Sequence, residues 1–179
     1  MEEQTLATEN IYEGRRINLR VDRVVLPSGR ETTREIAAYP DSVGIIALDK
    51  NDDVVLVRQY RHAVGRVLLE IPAGGIEEGE APEESALREL KEETGYVAGR
   101  VERIGGAYAA PGYATEFLHL FLATELKYGL ARAEDDEFIE VVRIPLKDIV
   151  GLIESGELCD GKSIIGLLTL LLRRGECGN

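Results

Sequence analysis

The chain has 179 residues, of which 33 are acidic and 21 basic, so its formal net charge is −12 at pH 7. This length suits one globular domain, alone or with a small appendage, that needs neither disulfides nor a structural metal to hold its core. The acidity disfavours nucleic acid as a partner, because affinity for a phosphate backbone comes largely from lysine and arginine. Residues 70–93 contribute −7 and residues 134–140 contribute −5, and the rest of the chain is neutral.

The N-terminal sequence and the cysteines favour a reduced compartment. The first ten residues lack the basic and apolar regions of a signal peptide, and no apolar run approaches the ~20 residues of a membrane-spanning helix. Cys159 and Cys177 show no CxxC spacing, so two free thiols are expected rather than a zinc site. We therefore expect a cytoplasmic protein with no membrane segment.

Strand-like alternation opens the chain. It predicts a strand from Ile11 to Leu26, a turn at Pro27-Ser28-Gly29, and a second, more polar strand over Arg30–Tyr39 that pairs back as a hairpin. Six further strands are predicted over Val43–Leu48, Val54–Tyr60, Leu68–Ile71, Val101–Ala107, Phe117–Leu126 and Phe138–Ile144.

Helical periodicity begins only after Pro82, a residue that fits the first helical position, and Gly95 stands where a left-handed C-terminal cap is expected. Two more helices are predicted, from Pro145 to about Glu154 and over Ser163–Arg174. The order of elements indicates an α+β fold.

Three glutamates of the first helix form a candidate metal site. Glu89, Glu92 and Glu93 stand at i, i+3 and i+4, so they lie on one helix face and repel one another, with Arg88 as the offsetting charge. A divalent cation would relieve this repulsion, and oxygen ligands favour Mg²⁺ or Mn²⁺. The alternative is a solvated acidic face, which the preceding loop argues against: Ala73–Gly79 contains three glycines directly after a strand, and glycine permits close backbone approach or positive φ.

This region resembles the Nudix box. The matching residues are Gly74, Glu80, Arg88-Glu89-Leu90, Glu92-Glu93 and Gly95, and the one departure is Tyr96, where an aliphatic residue is usual. The resemblance implies a Nudix fold, an α+β mixed sheet sandwiched between helices, with an N-terminal β-hairpin arm over residues 1–40 and a catalytic domain over residues 41–179. It also implies Mg²⁺-dependent hydrolysis of a pyrophosphate bond, with Mn²⁺ as a possible substitute.

The resemblance implies roles for individual box residues. Glu89 and Glu93 would be the main metal ligands, Glu92 an additional or water-mediated one, and the carbonyl of Ala73 a further ligand. Arg88 would orient the glutamates and form the structural pair of the box with Glu80.

The second acidic segment resembles a loop that supplies the base in the ADP-ribose pyrophosphatase branch. Glu137 best matches a further metal ligand, and Asp135 or Glu134 would be the base that takes the proton of the attacking water. A solvated loop is the alternative.

The same branch is suggested by signals outside the box. Pro111 falls sixteen residues after Gly95 and opens a segment that resembles the branch as far as Glu116, which would contact substrate; an ordinary Pro-Gly turn is the alternative. Arg61 would donate to the phosphates. Arg34 resembles an arginine that reaches substrate from the partner subunit, although a surface role is equally open.

The expected function is hydrolysis of ADP-ribose to AMP and ribose 5-phosphate by a homodimer that exchanges its N-terminal hairpins. Hydrolysis of another nucleotide sugar, such as GDP-mannose or ADP-glucose, is the first alternative. A Nudix-fold ligand sensor without catalysis is the second.

Overall fold

The structure is a computed structural model that describes residues 1–129 and 138–175. None of the helices in these two ranges is long and apolar enough to cross a membrane. The chain forms two compact units, one made of Met1–Asp41 with Tyr108–Phe117, the other of Ser42–Ala107 with the chain from Leu118 onward.

The first unit contains an antiparallel three-stranded sheet in the order β1-β2-β3. Its strands are β1 (Gln4–Glu13), β2 (Asn18–Val25) and β3 (Glu31–Ala38). The predicted hairpin is thus present as β2 and β3, but the prediction of one strand from Ile11 to Leu26 was wrong, because the chain turns between Glu13 and Asn18. β1 had not been predicted, since all ten of its residues are exposed and leave no apolar alternation to read.

The second unit contains the remaining strands and the helices. The strands are β4 (Ser42–Leu48), β5 (Asp53–Arg61), β6 (Arg66–Glu70), β7 (Ala73–Gly75), β8 (Tyr96–Val97), β9 (Arg100–Tyr108), β10 (Phe117–Thr124), β11 (Lys127–Tyr128) and β12 (Ile139–Pro145). The helices are α1 (Pro82–Thr94), α2 (Ile149–Ser155) and α3 (Gly161–Arg174), with short 3₁₀ turns at His62–Val64 and Leu146–Asp148. The predicted second helix therefore begins as a 3₁₀ turn rather than as an α-helix at Pro145.

A mixed sheet organises this unit. Its main path is β12-β5-β4-β10-β9, with β6 beside β5 and β7 beside β4, and β4 runs parallel to β10 but antiparallel to β5. β4 is buried along its whole length, which explains its continuous apolar sequence. Successive side chains of a strand point to opposite faces of the sheet, so β4 serves two cores.

Helices cover both faces of the sheet. On one face Ile45 of β4 packs in a core with Ala86 and Leu90 of α1. On the other face Ile46 packs in a core with residues of the C-terminal helices, including Ile149 and Leu167. The expected α+β sheet between helices is confirmed, and α1 carries the predicted metal-binding glutamates along one face of that sheet.

Candidate active site

A short strand and a helix build the site. β7 pairs antiparallel with β4, with Gly74 opposite Val43, and the chain then leads into α1. Pro82 occupies the first helical turn as predicted. The helix ends at Thr94, and the φ of 73° at the following Gly95 confirms the predicted left-handed cap.

Gly74 allows a glutamate to lie directly against the strand. A Cβ atom placed on Gly74 would overlap the carboxylate of Glu89, whereas a Cβ on the neighbouring Gly75 would meet nothing within 4 Å. The glycine-rich loop predicted a close approach to the backbone. In the structure the side chain of Glu89 makes that approach, at Gly74.

Glu93 approaches the same dipeptide from the next helical turn. Its side chain is largely buried, and its Oε2 accepts a hydrogen bond of 3.1 Å from the backbone N–H of Ala73. The carboxylates of Glu89 and Glu93 thus both lie against Ala73 and Gly74. Two like charges at i and i+4 repel each other, so this arrangement requires compensating positive charge.

Arg88 supplies part of that charge. Its Nε and Nη2 donate to the two carboxylate oxygens of Glu80 at 2.9 and 3.0 Å, and its Nη1 donates to Glu89 at 2.7 Å and Glu92 at 3.0 Å. Nη2 also donates to the carbonyl of Gly75 at 3.2 Å, which ties the helix to β7. The predicted pairing of Arg88 with Glu80, and its contact with the box glutamates, are present in the structure.

The ionisation of this pair follows from its geometry. Hydrogen bonds from Arg88 lower the pKa of Glu80 from its ordinary 4.5 to about 2. Hydrogen bonds to Glu80, followed by those to Glu89, raise the pKa of Arg88. Glu80 is therefore a fixed anion at neutral pH, and its bidentate contact fixes the plane of the guanidinium that holds Glu89 and Glu92.

The donors around Ala73 and Gly74 fit a hard divalent cation. Within residues 1–129 and 138–175, no three side chains of His, Cys, Asp or Glu converge closely enough to hold a metal by themselves. Mg²⁺ does not require such a set, because it is commonly held by one or two carboxylates with water and substrate phosphates. Glu89 and Glu93, whose carboxylates lie against Gly74 and the backbone N–H of Ala73, provide two carboxylates of this kind.

Arg61 of β5 lies within electrostatic reach of Glu93. Its Nε and Nη2 donate to Glu70 at 2.8 and 2.7 Å. Its pKa is raised, first by this contact, with the charges of Glu93 and Asp160 among the further causes. No role had been predicted for Glu70, although it begins the segment Glu70-Ile71-Pro72-Ala73-Gly74, which resembles the ADP-ribose pyrophosphatase branch.

The other predicted substrate contacts lie in the first compact unit. Arg34 donates to Glu3 at 2.6 and 3.0 Å, and Pro111 lies exposed in a turn. The backbone carbonyl of Glu116 accepts from Ala109 at 3.1 Å, which closes that turn.

The predicted base and additional ligand, Asp135 or Glu134 and Glu137, lie outside the described residues. Their roles, like those assigned to the other site residues, stay predictions.

Fold and site together define a class of protein: an α+β domain in which a glycine-bearing strand and a helix assemble a carboxylate site suited to a divalent cation. A family model described as NUDIX domain matches residues 38–164, and one described as nucleoside diphosphate sugar hydrolase N-terminal domain matches residues 3–36. The chain belongs to the Nudix hydrolase family, as its box predicted.

Individual relatives cover nearly the whole chain. An ADP-ribose pyrophosphatase of Bacillus subtilis (strain 168) is 42% identical over 97% of this chain and 95% of its own length. A methanol dehydrogenase activator of Bacillus methanolicus is 38% identical over 96% and 94%. The crystal structure of an ADP compounds hydrolase, 23% identical, matches with a TM-score of 0.88 over 98% of this chain and 97% of that one, which shows the shared fold.

Proposed function

We propose that this protein is a Mg²⁺-dependent pyrophosphatase that hydrolyses ADP-ribose to AMP and ribose 5-phosphate. The observation that carries the proposal is the placement of Glu89 and Glu93 against Ala73 and Gly74, with Arg88 holding Glu89. The choice of ADP-ribose is supported by the Bacillus subtilis relative, which is 42% identical over nearly all of both chains.

The box residues divide the work of binding metal and fixing geometry. Glu89, Glu93 and the Ala73 carbonyl hold the cation, and Glu92 contributes directly or through water. Bound Mg²⁺ neutralises charge on the phosphate oxygens and lowers the pKa of a coordinated water. Arg88 fixes the carboxylates in place, so their positions are set before substrate binds.

Residues outside the box bind substrate and complete the chemistry. Arg61 donates to the diphosphate, and Glu116, with Pro111 shaping its loop, contacts the remainder of the substrate. Arg34 reaches the site of the partner subunit. Glu137 adds a metal ligand, and Asp135 or Glu134 takes the proton from the attacking water.

Release of the nucleoside monophosphate from a panel of nucleotide sugars, AMP from the ADP sugars and GMP from GDP-mannose, tests the proposal. ADP-ribose, ADP-glucose and GDP-mannose are compared with Mg²⁺ present, after chelation, and after addition of Mg²⁺ or Mn²⁺. We expect turnover of ADP-ribose that chelation abolishes and either cation restores. If no diphosphate is hydrolysed, the proposed pyrophosphatase activity is refuted. A strong preference for GDP-mannose would refute ADP-ribose as the proposed substrate.

A non-catalytic regulator is the second candidate, and the name of the Bacillus methanolicus relative, an activator, is what favours it. The box glutamates are all present, which favours hydrolysis. Binding of ADP-ribose without turnover in the presence of Mg²⁺ would reverse this preference.

The proposed homodimer is supported by the exposed outer strand β1. Leu6, Ile11 and Tyr12 are at least 42% exposed on a strand that pairs, among the described residues, with β2. Light scattering at micromolar concentration should give twice the chain mass of 19.7 kDa, and a monomeric mass would exclude the dimer.

A further inference from the structure

A buried carboxylate stands behind Arg61. Glu70 is only 1% exposed, and it lies at the end of β6, three residues before Ala73. Arg61 binds both of its oxygens, and Lys162 of α3 donates to the same Oε2 that accepts from Arg61 Nη2. Two cations therefore share one carboxylate in the interior of the second compact unit.

Glu70 is ionised despite its burial. Burial alone would raise the pKa of Glu70, but the hydrogen bonds and charges of Arg61 and Lys162 outweigh it, so that the pKa lies below its ordinary value. A buried charge is tolerated only when its partners remain in place. The Glu70 carboxylate therefore holds the side chains of Arg61 and Lys162 in place, and their two charges stabilise its ionised form.

The start of α3 anchors the cluster to the sheet. Lys162 also donates to Asp160 at 3.0 Å, and Asp160 caps α3 by accepting from the backbone N–H of Ser163 at 3.1 Å. The hydroxyl of Ser163 in turn accepts from the backbone N–H of Ile71 at 2.8 Å, next to Glu70 in the chain. The cluster has little freedom to shift, because both ends of it are tied to backbone.

This anchoring determines how Arg61 is presented. Glu70 takes its Nε and one Nη2 hydrogen, which are two of the five N–H donors of a guanidinium. The edge that carries Nη1 then points away from Glu70, and the Arg61 side chain is 39% exposed. An arginine held along one edge loses less conformational entropy when its other edge binds phosphate.

We propose that Glu70 and Lys162 are positioning residues that hold Arg61 for the diphosphate. Lys162 fixes the carboxylate of Glu70, and Glu70 fixes the guanidinium. The inference rests on the proposed function for the role of Arg61, but it concerns binding of a diphosphate and not its cleavage.

A double-mutant cycle on ADP binding tests the proposal. Affinity for ADP with Mg²⁺ is measured by calorimetry for the wild type, Arg61→Ala, Lys162→Met and the double variant. We expect Arg61→Ala to weaken binding about 10- to 100-fold and Lys162→Met about 3- to 10-fold. The double variant should bind no more weakly than Arg61→Ala alone, because Lys162 acts through Arg61.

Lys162 is preferred to Glu70 for this test because its loss leaves Glu70 paired with Arg61, so the fold should survive. Lys162→Arg should retain wild-type affinity. Arg58→Ala is the matched control, since Arg58 lies on the same strand and pairs with exposed Glu157 at 3.4 Å. Lys162→Met should stay folded but with a lower melting temperature, because Glu70 keeps Arg61 and loses one of its two cations. Its Mn²⁺ binding without nucleotide, followed by electron paramagnetic resonance, should not change.

The inference is overturned if Lys162→Met leaves ADP affinity unchanged, if its effect persists in the Arg61→Ala background, or if the wild type does not bind ADP. A protein that binds ADP with this pattern but releases no AMP from ADP-ribose would refute the proposed function and leave the positioning role standing.

Discussion

Replacement of Gly74 by alanine isolates the contact on which the site depends. The added Cβ would overlap the carboxylate of Glu89, so that carboxylate has to move. Glu89 would lose its 2.7 Å hydrogen bond from Arg88, and a bond of this charge-assisted kind contributes about 1.5–3 kcal/mol. We therefore expect the free energy of unfolding to fall by about 1–3 kcal/mol.

The effect on catalysis should be larger than the effect on stability. Misplacing a group that orients or binds a metal typically costs about 10–100-fold in metal affinity or activity, and Gly74→Ala displaces the proposed ligand Glu89 itself. We expect kcat/KM for ADP-ribose to fall by about 100-fold, with weaker Mn²⁺ binding.

Gly75→Ala provides the matched control. A Cβ at Gly75 meets no atom within 4 Å, and the contact of Gly75 with Arg88 is made by its backbone carbonyl, which alanine retains. AMP release, Mn²⁺ binding and chemical denaturation are measured for both variants. Equal activity and equal Mn²⁺ affinity in Gly74→Ala and Gly75→Ala would refute the role assigned to the Gly74–Glu89 contact.

Three further substitutions test the surrounding structure. Glu93→Gln should lower kcat by several orders of magnitude with little change in melting temperature, because the amide oxygen can still accept from Ala73; a near-native rate would exclude Glu93 as a central ligand. Glu80→Gln should lose stability relative to the wild type at neutral pH. Since the folded-state pKa of Glu80 is lowered from 4.5 to about 2, this difference in unfolding free energy should shrink as pH falls between those values, and a pH-independent difference would contradict the pairing with Arg88. Gly95→Ala should destabilise by about 1 kcal/mol because φ is 73°, and thermal unfolding with no loss would contradict the cap.

The local features of the site could be predicted from sequence because they depend on residues close together in the chain. Pro82 and Gly95 delimit α1, and the spacing of Glu89 and Glu93 places both on one helix face. Their contact with residues 73 and 74 is also local, because only a short loop separates β7, which contains these residues, from α1. The Nudix resemblance then added the metal-binding roles, which spacing alone could not distinguish from a solvated acidic face.

The arm was harder to predict because its strands are stabilised by pairing rather than by burial. Asp22 interrupts the apolar pattern of β2 and suggests an outward position, yet it is 7% exposed. Thr8 of β1 donates to it at 2.8 Å and Arg20 at 3.2 Å, so the buried carboxylate is satisfied by a strand that the sequence had not indicated. A buried polar residue of this kind can be interpreted only when its partner is known.

The cluster behind Arg61 could not be predicted from spacing at all. Glu70 and Lys162 are 92 positions apart, and no spacing in the sequence links one to the other. Only the packing of α3 against the sheet brings them together, with the hydroxyl of Ser163 bound to the backbone of Ile71. Residues that position a ligand-binding side chain from behind are therefore accessible mainly through the three-dimensional structure.

The charges of the four box glutamates around Arg88 give a reason for the proposed cation and substrate to bind together. Glu80, Glu89, Glu92 and Glu93 carry four negative charges against the one positive charge of Arg88, a net −3 that repels a diphosphate. Arg88 donates to one carboxylate oxygen of Glu89, so a cation would bind Glu89 through the other oxygen. One divalent ion leaves the cluster at −1, which still disfavours an anionic substrate. Positive charge from outside the box is therefore required for tight binding.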